Sequence, residues 1–175
     1  MAGTLVLAAV AIVVPIGPAQ AAVSHVWPVC RQGSEGGWTY TTFSGHDPRY
    51  AVDINRGAGR DDFQRIVVAS AAGTLHAKDV FSGYGNTLTI KHSDGTYSFY
   101  AHLSWRTTLS VGAYIEKGRP IASIGESGSS ATSPHLHYEQ RNGPNYSDPG
   151  RTIMIGGSQL TYYTTRSFVP TVPCT

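Results

Sequence analysis

Asn86-Thr87-Leu88-Thr89-Ile90-Lys91-His92-Ser93-Asp94-Gly95-Thr96-Tyr97-Ser98-Phe99-Tyr100-Ala101-His102-Leu103 is a pair of alternating runs, rich in β-branched and aromatic residues, around an Asp-Gly dipeptide. That is the pattern of a β-hairpin. Both turn residues tolerate positive φ, so Asp94-Gly95 predicts a two-residue type I′ turn closed by Ser93 and Thr96. This pairing puts Leu88 and Ile90 on one face with Tyr97, Phe99, Ala101 and Leu103, and Thr87, Thr89 and Lys91 on the other with Ser98, Tyr100 and His102. His102 is therefore expected on a polar, groove-lining surface. Tyr100 stands beside it, either as a hydrogen-bond donor to substrate or as a cross-strand partner for Thr89.

Working outward, the chain from Trp38 onward reads as short β segments separated by Gly, Asn, Asp, Ser and Pro clusters. Expected strands are Tyr50–Ile54, Ile66–Ala71, Gly73–Ala77, Asn86–His92, Tyr97–Leu103, Tyr114–Ile115, Pro120–Ile124 and Leu136–Gln140, with the tail from Asn142 poorly patterned. The fold class is mostly β, antiparallel, with little helix. A chain of 175 residues suits one domain with a sizeable core. A formal net charge of +2 without a basic run gives no electrostatic footprint for nucleic acid.

Residues Ala2 to Ile16 are almost wholly apolar, and Ala19-Gln20-Ala21 has the small-x-small pattern of a signal-peptidase site. Residues 1–21 are thus expected to be a signal peptide, although no Lys or Arg precedes the apolar run, and 22–175 a single secreted domain. The apolar stretch is short for a membrane span, so the mature form is expected to be free of the membrane, extracellular or associated with the cell wall. Cys30 and Cys174 are the two cysteines of the chain. In an oxidising compartment they suit a disulfide joining the two ends of the domain, which contributes about 4 kcal/mol on the chain-entropy model.

The chemistry concentrates in a few polar residues placed on these strands. Residues two apart on a strand face the same way, so His135, His137 and Glu139 project together while Leu136 and Tyr138 enter the opposite layer. Two imidazoles on one face can share a metal ion. Asp53 sits in an otherwise apolar strand, where a carboxylate is costly unless paired, hydrogen-bonded or metal-bound; Arg49 and Arg56 are the alternative partners. Asp47-Pro48 is a turn signal that lets His46 fold back beside that strand. With His102, these residues supply the three ligands and open position of a catalytic zinc site, plus two spare imidazoles. Spacing alone equally permits His135 and His137 both as ligands, with Asp53 or His102 outside the coordination sphere. Glu139 is either a carboxylate oriented toward a ligand imidazole or an exposed strand residue. His25, His76 and His92 read as structural or solvated.

Four stretches in this order carry a family resemblance: Gly45-His46 with Tyr50-Ala51-Val52-Asp53, Gly85-Asn86-Thr87-Leu88-Thr89-Ile90-Lys91-His92, Tyr100-Ala101-His102-Leu103-Ser104 and Ser133-Pro134-His135-Leu136-His137-Tyr138-Glu139. Together they resemble the lysostaphin-type zinc metalloendopeptidases, in particular their β-lytic branch, over roughly His46 to Arg141. The resemblance implies twisted antiparallel sheets of the duplicated hybrid motif type around a substrate groove. It implies Zn²⁺ as cofactor, His46, Asp53 and His137 as its ligands, and His102 and His135 as the catalytic pair, their two roles interchangeable. It further implies peptidoglycan or Gly-rich peptides as substrate. A monomer is expected. The spacing of six residues between His46 and Asp53 departs from the common family form, which has three. The competing expectation is a non-catalytic envelope module that binds wall polymer or activates a separate hydrolase.

Overall fold

The computed structural model describes residues 22–34, 36–42, 51–145 and 147–174. The expected signal peptide, His46, Arg49, Tyr50 and the Asp47-Pro48 turn lie outside the described residues. Fifteen strands follow in chain order: β1 Trp38–Thr41, β2 Ala51–Arg56, β3 Ile66–Val68, β4 Gly73–Ala77, β5 Val80–Phe81, β6 Gly85–Asn86, β7 Leu88–Lys91, β8 Tyr97–Ala101, β9 Leu103–Arg106, β10 Tyr114–Ile115, β11 Pro120–Ile124, β12 Leu136–Arg141, β13 Met154–Ile155, β14 Ser158–Gln159 and β15 Thr165–Phe168. Among the described residues there is no helix, and so none long and apolar enough to cross a membrane.

Eight strands form one antiparallel sheet in the order β10-β4-β7-β8-β12-β2-β1-β15, and three form a second, β3-β11-β9. Alternation along the strands builds one core between them. Val52 and Ile54 of β2, Leu88 and Ile90 of β7, and Leu136 and Tyr138 of β12 meet Val67, Leu103, Ile121 and Ile124 from the smaller sheet. The core also holds a polar knot. Ser70 Oγ accepts from Tyr138 Oη at 2.9 Å and from Tyr100 Oη at 3.0 Å, and His25 Nδ1 lies 3.0 Å from the same hydroxyl. His92 Nε2 is 2.7 Å from Ser98 Oγ. His25 and His92 are thus structural, as expected, whereas His76 is exposed. Cys30 and Cys174 form a disulfide, with their Cα atoms 5.0 Å apart.

The opening hairpin differs from its sequence reading by one residue. Its loop is Ser93-Asp94-Gly95, closed by His92 N to Thr96 O at 2.8 Å, with Gly95 at φ 83°. A three-residue loop with glycine in the left-handed region displaces the two-residue turn, because Asp94 accepts from both Thr96 N and Thr96 Oγ1. The pairs become Ile90↔Ser98, Thr89↔Phe99 and Leu88↔Tyr100. A one-residue slip exchanges the faces of the partner strand. Tyr100 therefore points into the core, fully buried, and is not available to substrate, while Phe99 lies against His137 on the other face.

The expected strand Tyr97–Leu103 is also broken. His102 takes φ 59°, which ends β8 in the large sheet and starts β9 in the small one. A non-glycine residue in the left-handed region is uncommon and strained. Here it is held by its own N–H donating to Tyr84 O at 2.9 Å.

Candidate active site

β12 is the spine of the site. His137 is paired with Asp53 on β2 and with Ala101 on β8. The cross-strand neighbours Asp53 Oδ1 and His137 Nδ1 lie 3.2 Å apart. His135 precedes β12 at a bridge to Gly125 and brings its Nε2 to 3.7 Å from the same carboxylate oxygen. His102 arrives from the β8–β9 break, its ring centroid 4.6 Å from that of His135 and 5.9 Å from that of His137. Four of the five residues singled out from sequence are therefore adjacent. The fifth, His46, lies outside the described residues.

The imidazoles differ in which nitrogen is occupied. His137 Nε2 donates to Glu139 Oε1 at 2.7 Å, leaving Nδ1 directed at Asp53. His102 Nδ1 instead donates to Ser127 O, and His135 Nδ1 to Ser133 O, each at 2.8 Å, so Nε2 is the open nitrogen in both. A protonated His137 donates to both carboxylates, and a metal ion on Nδ1 would take the place of the proton shared with Asp53. Burial opposes a charged His137, but hydrogen bonding and charge from Asp53 and Glu139 outweigh it and raise its pKa to about 9. Burial lowers that of His102 to about 4; the Ser127 carbonyl opposes this, and His135 and His137 add to it.

Glu139 is fully buried, and the exposed-strand alternative does not hold. Its carboxylate receives Arg141 Nε at 2.6 Å and Nη2 at 3.0 Å, besides His137. The guanidinium carbon lies 3.8 Å from the Phe99 ring centroid. Sequence reasoning missed Arg141, although the same two-residue alternation that collects His135, His137 and Glu139 reaches it next. It also missed Tyr84, whose ring lies 5.0 Å from that of His137, and the Gly125–Ser133 loop as the source of the two carbonyls that orient His102 and His135.

Asp53 and His137 are spaced as two ligands of one zinc ion would be. Two ligand atoms each about 2.0 Å from a tetrahedral metal are about 3.3 Å apart, and Asp53 Oδ1 and His137 Nδ1 are separated by 3.2 Å. The other nitrogen of His137 is anchored on a carboxylate, as a ligand imidazole requires. Among the described residues no set of three or more His, Cys, Asp or Glu groups converges to hold a metal; the remaining expected ligand is His46.

Residues 47–149 match the profile described as Peptidase family M23. The chain is 41% identical over 75 residues to the DD-carboxypeptidase/endopeptidase Mpg of Neisseria meningitidis, a match covering 43% of this chain and 17% of that protein. It is 36% identical over 80 residues to the murein hydrolase activator NlpD of Salmonella typhimurium, covering 45% of this chain and 20% of the other. The chain thus spans about a fifth or less of the length of these relatives. Among solved structures, the catalytic domain of lysostaphin from Staphylococcus simulans superposes with a TM-score of 0.51 at 27% identity, covering 67% of this chain and 86% of that one. A candidate glycyl-glycine endopeptidase lytM from Ruminococcus gnavus reaches a TM-score of 0.61 at 20% identity, covering 73% and 57% of the two chains. The lysostaphin-like β architecture and the profile match over more than half of the sequence agree, and the chain belongs to peptidase family M23.

Proposed function

We propose that this chain is a secreted zinc metalloendopeptidase that hydrolyses peptide bonds in the stem or cross-bridge peptides of peptidoglycan. The observation that carries the reading is the direction of the ring nitrogens: His137 presents Nδ1 toward Asp53 with Nε2 against Glu139, while His102 and His135 have Nδ1 held by backbone carbonyls and Nε2 open. In this reading His137 serves as a ligand and His102 and His135 as proton carriers.

In this reading His46, Asp53 and His137 hold the metal. A bound zinc ion lowers the pKa of a water ligand toward about 7 and polarises the carbonyl of the scissile peptide. His135 Nε2 takes the proton of the attacking water and returns it to the leaving amine, its ring fixed by Ser133 O. His102, fixed by Ser127 O and held neutral by burial, donates from Nε2 to the developing oxyanion only after Nε2 has taken up a proton from the reacting groups. The geometry is consistent with the exchanged assignment of these two roles.

Similarity to an activator, NlpD, favours one second reading: a module that binds wall polymer and stimulates another hydrolase. Elemental analysis of the purified protein, with cleavage of peptidoglycan and of pentaglycine in the presence and absence of chelator, separates the two. One zinc per chain and chelator-sensitive release of new amino termini is the expected result. Stoichiometric zinc without turnover would favour the activator.

A further inference from the structure

Along β9, which begins just after His102, lies a groove of about 430 Å³ lined by Lys78, Asn86, Ser104, Trp105, Arg106 and Thr107 among others. We propose that it binds the N-acetylated amino-sugar backbone of the polymer whose peptides are cleaved; the proposal rests on the function proposed above.

The groove is built rather than incidental. Lys78 Nζ donates to Leu109 O at 2.9 Å, and Arg106 Nη1 donates to Asp79 O at 2.7 Å and to Thr87 O at 3.3 Å. The two cations thereby stitch the 78–87 hairpin to β9 and the turn that follows it, fixing the groove walls in advance of a ligand. Against them stands Trp105, 49% exposed. The other two tryptophans are engaged elsewhere: Trp38 is 1% exposed and Trp27 stacks on Phe168 with centroids 3.7 Å apart. A large apolar ring left half in water beside hydroxyl and amide groups offers a flat surface for the C–H face of a pyranose and hydrogen bonds for its rim. The volume is that of a small-ligand site.

A peptide strand fits less well. Leu103 O, an acceptor an added strand would use on this edge, is already held by Asn86 Nδ2 at 3.0 Å and Ser127 Oγ at 2.9 Å. Among the described residues the lining contains no carboxylate to recognise a basic peptide. The groove is linked to the candidate site by hydrogen bonds, because Asn86 in its lining donates its N–H to Ser127 Oγ at 2.9 Å. Ser127, whose hydroxyl holds Leu103 O, orients His102 through its carbonyl. A polymer carrying its peptide at His102 would therefore place its sugar chain within reach of Trp105.

The test uses the purified protein and N-acetylglucosamine tetramer as probe. By isothermal titration calorimetry wild-type protein should bind saturably, Trp105→Phe should retain binding through its aromatic face, and Trp105→Ala should bind at least tenfold more weakly. On intact sacculi Trp105→Ala should raise KM several-fold, while kcat/KM for a sugar-free peptide stays within twofold of wild type. Absence of saturable binding in wild type, or equal loss on sacculi and free peptide, would overturn the saccharide site while leaving the peptidase reading intact. If no form of the protein cleaves peptide, the peptidase reading fails and the titration alone decides the groove.

Discussion

Replacing Glu139 by Gln probes how the buried face of β12 prepares His137 for a metal. Glu139 is fully buried and accepts from His137 Nε2 and twice from Arg141. An amide of the same size loses the charge and sets an NH₂ group against one of two donors. Two effects follow, and they have different magnitudes. Without its carboxylate partner the His137 tautomer is no longer fixed, and zinc affinity should fall about 10–100-fold, equivalent to about 1.4–2.7 kcal/mol. Separately, Arg141, 1% exposed, is left as an uncompensated buried cation, which should destabilise the fold by about 3–5 kcal/mol. The double variant Glu139→Gln/Arg141→Met separates them. Methionine can cover Phe99 without a charge, so stability should largely return, while zinc affinity should not. Competition against a chromophoric chelator gives the affinity, and urea denaturation of the metal-free protein gives the stability. A double variant that binds zinc within twofold of wild type would refute the claim that Glu139 prepares the ligand.

Asp53→Ala should abolish both stoichiometric zinc and hydrolysis, whereas His102→Ala should retain zinc and lose about 10²–10⁴-fold in turnover; metal analysis beside a peptide assay reads both, and full activity in Asp53→Ala would remove it from the ligand set. Gly85, at φ 63°, would place an added Cβ 2.2 Å from the backbone of Ser127, so Gly85→Ala should displace the carbonyl that orients His102. It should lower kcat with zinc content unchanged. Burial lowers the His25 pKa from 6.5 to about 3, with His92, Arg151 and Lys117 adding to the effect and Asp94 opposing it. Above pH 6.5 both states are neutral at His25; below it only the unfolded chain takes up the proton, so stability should fall by up to about 1.4 kcal/mol per pH unit toward pH 3. Urea midpoints measured from pH 7 to 5 should show this slope in wild type and a shallower one in His25→Asn.

What was legible in the sequence was whatever follows from two-residue alternation within a single strand. It separated Leu136 and Tyr138 from His137 and Glu139, and Val52 and Ile54 from Asp53, and the large sheet keeps both separations. Properties set by a partner distant in sequence were not legible. The poorly patterned tail contains β15, which pairs Phe168 with Trp38, and no local pattern in four residues identifies a partner so far away. Asp94-Gly95 signalled a hairpin correctly. The Thr96 hydroxyl and amide, both bonded to Asp94, decided between a two- and a three-residue loop, and that choice exchanged the faces of Tyr100 and Phe99.

His102 combines both kinds of failure with a functional reason. Continuing the strand through it is the expectation of a regular alternating pattern, and on the observed register that continuation would put residue 102 on the core face with Tyr100. The left-handed turn at φ 59° instead releases the side chain toward His135 and transfers the chain from one sheet to the other. Strain of this kind, of order 1–3 kcal/mol, persists only where surrounding contacts enforce it. Tyr84 O holds the backbone N–H and Ser127 O holds Nδ1; both come from loops beside the site. Gln64 and Tyr163 share this backbone conformation away from the site, so what distinguishes His102 is where the turn sends its imidazole: out of the large sheet and toward His135 and His137.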